Sequence, residues 1–262
     1  MSYKFAFFNV KGGVGKTSSA ITIAHMLSTK ARTLLIDGDG QGDASKFYDR
    51  FGVAYPTIGD VLTHKISLKK AICETEFENL DIIPSYFTLD KVQFDLIEVD
   101  KNGKINFKLT ELQKQIGEIE NNYEYIVFDL APMAESLINT NLLAVCDFVF
   151  VPLKADKWAS DGLNTSINLI RNLKTINPML KIGGAFLVEN EKRNVNDYQL
   201  YNLRNDLGDL MWDITIRKNK AIPEMTYELQ PLLLYDPRNK ATKDYEMITE
   251  RIIAIFKERF GR

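Results

Sequence analysis

Cysteine, histidine and tryptophan are scarce in this chain, two of each among 262 residues. Cys73 and Cys146 lie far apart with no C-x-x-C spacing, which excludes a disulfide scaffold and a thiolate metal site. They read as two reduced thiols in a cytosolic protein. His25 and His64 have no ligand-spaced companions, so they read as packing or surface residues. No apolar run approaches the roughly 18 residues that a spanning helix needs. The N-terminus runs straight into a strand-like segment, with no signal-peptide pattern. There is no large excess of charge either. Lysine plus arginine number 33 against 35 acidic residues, for a net charge of −2. The molecule is not a polycation, so any nucleic-acid contact must come from a local patch. Repeats, low-complexity tracts and linkers are absent as well. With 45% hydrophobic residues, the chain is expected to fold as a single domain over 1–262.

What is present begins at Lys11-Gly12-Gly13-Val14-Gly15-Lys16-Thr17. An apolar run, Phe5 to Phe8, precedes it, and an amphipathic stretch from Ser18 to Leu27 follows. The order is strand, glycine loop, helix. Glycines let backbone N–H groups curl around a phosphate, and the helix start directs its positive dipole end at the same anion. Lys16 is placed to reach the β- and γ-phosphates, and the Thr17 hydroxyl to ligate Mg2+. The loop reads as a cradle for a nucleoside triphosphate. The first glycine of the general P-loop pattern is replaced by Val10, and a second lysine, Lys11, stands five residues before Lys16. Two cations in one glycine cluster call for more negative charge than one phosphate supplies.

Short apolar runs at 3–9, 33–37, 80–84, 124–129, 148–152, 182–188 and 213–216 alternate with helical stretches. Several lack polar alternation, as strands covered on both faces do. The helical stretches include 160–174, with Ser160 as its cap, and about 239–260. The implied fold class is α/β: a doubly wound, mostly parallel sheet flanked by helices. Asp100 to Lys104 reads as a surface turn between helices.

Two strand ends carry acids. Tyr125-Ile126-Val127-Phe128 runs into Asp129, and a carboxylate at the end of a core strand is costly unless a cation or donor meets it. Asp129 therefore reads as the acid that holds the Mg2+ shell. Leu34-Leu35-Ile36 runs into Asp37-Gly38-Asp39-Gly40-Gln41-Gly42-Asp43. A glycine-rich acidic loop of this kind can close on a γ-phosphate and position water. A Ca2+-binding EF-hand is excluded because the twelfth-position glutamate is missing.

The K-G-G-x-G-K-[ST] form resembles the deviant Walker A loop of the ParA/MinD family of P-loop ATPases. The resemblance implies that Lys11 crosses a dimer interface to the partner's nucleotide. It implies a nucleotide site over Lys11, Gly12, Gly13, Val14, Gly15, Lys16, Thr17 and Ser18, with Lys11, Lys16 and Asp39 catalytic. Thr17, Asp37 and Asp129 would form the Mg2+ site. Asp37 to Asp43 resembles the family's first switch, D-x-D-P-Q-G-N, with Gly40 in the proline position and Asp43 in the asparagine position. Leu80 to Ser85, Cys146 to Pro152 and Leu234 to Arg238 resemble further family segments. The likeness spans essentially the whole chain and is to the short ParA/Soj type, with no DNA-reading domain expected before the loop.

By this resemblance the chain is expected to be a DNA-segregation ATPase for a plasmid or chromosome, cytoplasmic and nucleoid-associated. An ATP-dependent homodimer would bind DNA non-specifically, and a ParB-like centromere-binding protein would stimulate hydrolysis. Ile216-Arg217-Lys218-Asn219 stands where the family has I-P-R-N. Arg217, Lys218 and Lys220 fall within four residues, with no acid following until Glu224, and are the expected DNA patch. Arg193 and Arg204 are weaker candidates. The alternative is a MinD-like membrane positioner, which requires a membrane-binding amphipathic C-terminal helix. An iron-protein-type redox partner is set aside because Asp129-Leu130-Ala131-Pro132 carries no cysteine, and a GTPase because there is no N-K-x-D segment.

Overall fold

The computed structural model describes residues 2–156, 159–191 and 194–261, without the side chains of 159–161, 194–197 and 199. The elements in chain order are β1 (Tyr3–Phe7), α1 (Lys16–Ser28), β2 (Thr33–Gly38), α2 (Asp43–Phe47), α3 (Ile58–Leu62), β3 (Cys73–Glu74), β4 (Leu80–Ile83), α4 (Leu89–Asp95), β5 (Ile97–Val99), β6 (Ile105–Phe107), β7 (Tyr125–Leu130), α5 (Leu137–Leu143), β8 (Phe148–Lys154), α6 (Ala159–Asn172), β9 (Lys181–Val188), α7 (Asn194–Leu207), α8 (Ala221–Tyr227), α9 (Leu232–Tyr235) and α10 (Lys240–Phe260). Seven strands form one sheet in the order β3-β4-β2-β7-β1-β8-β9. Only the two-residue edge strand β3 runs antiparallel.

The strand pattern follows from burial on both faces. On β1, Phe5 and Phe7 join one core while Ala6 and the adjoining Phe8 join the other. On β7, Tyr125 and Val127 alternate with Ile126 and Phe128 in the same way. This is the period-two display of a strand covered from both sides. One core lies under α1 and α10, where Phe5 meets Phe7 and Phe150 edge-on at ring-centroid distances of 5.7 and 5.5 Å. Such pairs add about 0.5–1.5 kcal/mol each beyond area burial. The other core lies under α3, α5 and α6.

Three expectations change. The run 213–216 forms no strand; isolated bridges flank it, Met211 with Ala185 of β9 and Arg217 with Asn190, and Ile216 N–H donates to Leu187 O at 2.7 Å. Trp212 packs directly over Gly184, where a Cβ would sit 2.1 Å from the indole nitrogen. The turn at Asp100 joins β5 to β6, a separate antiparallel hairpin, rather than two helices. Ser160 falls inside α6 rather than capping it, and its side chain lies outside the described residues. The apolar stripe of α10 is core: Ile248, Ile252 and Phe256 are fully buried. That stripe is therefore not the membrane-binding face that the MinD-like alternative needs. Among the described residues no helix is long and apolar enough to cross a membrane.

Candidate nucleotide site

The interior strand β1 lies between β7 and β8, and the glycine loop leaves its C-terminal end. Ligands of open α/β sheets bind beyond the carboxyl ends of the strands. Gly13 and Gly15 have φ of +69° and +76°, a left-handed conformation that side chains with a Cβ resist. A Cβ at Gly15 would also press on Val188 of β9 at 3.3 Å. Asn9 braces the loop: its amide donates to Pro152 O at 3.0 Å, and its Oδ1 accepts from Lys11 N–H at 3.0 Å. α1 then starts at Lys16 with no side-chain cap and no acid in its first turn. Its free N–H groups and positive end are open to an anion.

Lys16 is buried, and its ammonium donates to Lys11 O at 3.0 Å. Burial lowers its pKa, against the opposing pull of Asp129 and Asp39. Lys11 points elsewhere: its ammonium is ion-paired with Asp156, just beyond the end of β8. Thr17 and Ser18 are half-buried on the first turn of α1.

The parallel register sets Asp37 of β2 directly beside Asp129 of β7. Both are buried. Asp37 accepts from the Ser45 hydroxyl at 2.6 Å, Ser45 N–H at 2.9 Å and Asp39 N–H at 3.1 Å. Burial still pushes its pKa up to about 6, since those donors only partly offset the lost water. Both carboxylate oxygens of Asp129 are buried and have no partner in hydrogen-bond geometry, although the Thr17 hydroxyl lies near enough to favour the ionised form. Burial raises its pKa well above the usual range; the Asp37 charge adds to this, while the Thr17 hydroxyl and Lys16 ammonium oppose it. Two adjacent buried carboxyls, one orphaned, beside a threonine hydroxyl are a hard-oxygen donor set of the kind that suits Mg2+. Asp39 is half-exposed on the following loop, with its Oδ1 accepting from Gln41 N–H at 2.9 Å.

The structure thus gathers Lys16, Thr17, Asp37, Asp39 and Asp129 at one end of the sheet. It does not leave the Arg217–Lys220 segment open in the way its local sequence suggests. Arg217 donates to Asp244 through its backbone N–H at 3.0 Å and Nε at 2.8 Å, with Nη2 on the second oxygen. Lys218 pairs with Glu191, and Lys220 with Glu224 at 3.7 Å. Asp244 comes from α10 and Glu191 from beyond β9, both distant in sequence. Arg204 pairs with Asp213, and Arg193 lies outside the described residues. His64 does have an acidic neighbour, the buried Glu111, while His25 is packed edge-on against Phe77 and its pKa is lowered to about 4 by burial. Among the described residues no group of three or more histidine, cysteine, aspartate and glutamate side chains is arranged to hold a metal ion on its own.

Sequence reasoning did not single out Asn9, Ser45 or Asp156. Only Ser45 left a trace, as a hydroxyl near the start of a helix eight residues after an acid at a strand end.

A doubly wound parallel sheet with a left-handed glycine loop at an interior strand and acids on neighbouring strand ends defines a P-loop nucleotide-binding protein. The chain matches the AAA_31 family, an AAA domain, over residues 2–182. It is 30% identical to the chromosome partitioning protein ParA of Caulobacter vibrioides over 97% of this chain and 95% of that protein. It is 27% identical to the sporulation initiation inhibitor protein Soj of Bacillus subtilis over 95% and 97%. A putative plasmid partition protein from Borrelia burgdorferi, solved bound to AMPPNP, superposes with a TM-score of 0.81 at 26% identity, covering 99% of this chain and all of that one. This chain belongs to the ParA/Soj family of partition ATPases.

Proposed function

We propose that this chain is an ATP-dependent DNA-segregation ATPase whose working form is a nucleotide-closed homodimer. The orphaned buried carboxylate of Asp129 carries the reading, because it has a purpose only when a cation arrives with the nucleotide. Asp129, Asp37 and Thr17 would hold Mg2+, which supplies charge neutralisation on the β- and γ-phosphates when bound. Gly12 to Ser18 wrap the phosphates with backbone N–H groups, and Lys16 balances their charge. Asp39 orients a water for in-line attack on the γ-phosphorus. The bond from that phosphorus to the bridging oxygen breaks, giving ADP and phosphate.

Lys11 is the dimer element. In the isolated chain Asp156 holds it, and a partner's triphosphate offers it a stronger anion. Closing the dimer doubles every phosphate-tracking cation on one particle, so DNA affinity becomes nucleotide-dependent. Lys218 and Lys220, with side chains 60% and 86% exposed, are the cations freest to exchange acid partners for DNA phosphates. A centromere-binding partner of the ParB kind would stimulate hydrolysis and release, in the cytoplasm and on the nucleoid. The test is retention on DNA with ATP, ADP or no nucleotide. Retention only with ATP, weakened by Lys218→Glu plus Lys220→Glu, is expected. Equal retention in all three states would overturn the DNA-switch reading.

A further inference from the structure

A groove of about 540 Å3 lies at the edge of the sheet, between α6, the start of β9 and the end of α7. Ile167, Ile170, Leu180, Ile182, Leu207 and Leu210 form its apolar floor. Leu210, in the turn after α7, is 37% exposed. On α6, Asn164, Ile167, Asn168 and Arg171 recur three and four positions apart, so one helix face fronts the groove. Arg171, Lys174 and Lys181 stand around the floor, all exposed. Asp206 is the one acid of the lining. Among the described residues none of the three cations is ion-paired with it or with another acid. The basic segment differs, since there Arg217, Lys218 and Lys220 each have an acid.

Charge, floor and edge together select the occupant. Three unpaired cations against one acid attract an anion. Apolar side chains between those cations gain nothing from a phosphate chain, whereas they favour a ligand with apolar side chains of its own. An acidic segment with an apolar face meets both demands. An added strand is disfavoured, although β9 is the outer strand of the sheet. Its later part is bridged at Ala185, and the ladder to β8 skips Gly183 between Ile182 and Gly184. A bulge of this kind blunts strand addition at an edge, so the fitting segment is a helix. The groove opens at the N-terminal end of β9, whereas the glycine loop leaves the C-terminal end of β1, and β1, β8 and β9 run parallel. A helix seated there leaves the nucleotide site open.

We infer that this groove docks an acidic amphipathic helix of a partner protein, and that it does so with or without bound nucleotide. The docking stands on the groove alone and is independent of the function proposed above.

The probe is a labelled amphipathic peptide of leucine and glutamate, about 18 residues long, beside a scramble that spreads the same leucines around the helix. Binding is measured on the full chain without nucleotide and again with Mg2+ and ATP. The amphipathic peptide is expected to bind with Kd on the order of 10 µM in both states, and the scramble at least about tenfold more weakly. Arg171→Glu plus Lys174→Glu should weaken the peptide by about tenfold or more. Leu210→Asp should do the same by disrupting the floor with the cations in place. The charge reversals, at exposed positions, carry the test if Leu210→Asp does not fold. Equal binding of the two peptides, wild-type affinity in the folded charge-reversed protein, or binding seen only with ATP would overturn the proposal. So would displacement of the peptide by a short DNA duplex that the charge-reversed protein no longer binds, which would assign these cations to nucleic acid.

Discussion

The nucleotide end of the sheet and the Arg217–Lys220 segment both concentrate charge, and they treat it in opposite ways. At the sheet end, Asp129 is buried without a hydrogen bond and Asp37 is buried beside it. Folding leaves that cost standing. In the basic segment every cation has an acid, and Arg217 has Asp244 twice over. Uncompensated charge in the interior signals a missing ligand, whereas a compensated surface cluster need not.

The largest effect expected from breaking this contrast is at Lys16. Lys16→Ala should weaken ATP binding by at least about 10²-fold in calorimetry, since the triphosphate loses its only buried cation in the loop. Asp39→Ala should bind ATP and dimerise while hydrolysis falls roughly 10²–10³-fold, as read by phosphate release. Wild-type turnover in that variant would remove the water-positioning role.

The pH dependence sharpens the same comparison. Asp37 titrates near 6 in the folded chain, above its ordinary value of 3.8. Between those values the folded state binds more protons than the unfolded state, so the nucleotide-free protein loses stability as pH rises from about 4 through 6. The share due to Asp37 is on the order of 2–3 kcal/mol; the neighbouring Asp129 carboxyl, also raised, adds to the loss over the same window, so Asp37→Asn should reduce it and Asp37→Asn with Asp129→Asn should abolish it. Mg2+ favours the ionised acids, so stabilisation by Mg2+ with ATP should grow over the same window. Melting curves at pH 5 and 7 check both signs.

The smallest effects belong to the basic segment. Arg217→Ala should cost about 1–3 kcal/mol in chemical denaturation, because Asp244, only 7% exposed, is left without its partner. Lys220→Ala, at an exposed pair 3.7 Å apart, should cost under about 0.5 kcal/mol.

Much of the nucleotide end was legible because its constraints are local. Glycine spacing encodes the left-handed turns at Gly13 and Gly15. An apolar run that stops at a carboxylate encodes Asp37 and Asp129, although only the β2–β7 register sets them side by side. What was not legible depends on contacts between distant segments. Asp244 neutralises Arg217 from 27 positions away, and Asp156 holds Lys11 from 145. The hairpin at 97–107 escaped because three-residue strands of exposed residues carry little periodicity. The segment at 213–216 reads as a strand by composition, yet the only bridges near it are isolated ones at Met211 and Arg217, on either side.

Sedimentation of wild type and Lys11→Ala with Mg2+ and a non-hydrolysable ATP analogue tests the central claim most directly, that one lysine of the loop serves a neighbour's triphosphate. The wild type should sediment as a dimer, and the variant as a monomer that still binds the analogue with near wild-type affinity. A Lys11→Ala protein that dimerises as the wild type does would contradict the account.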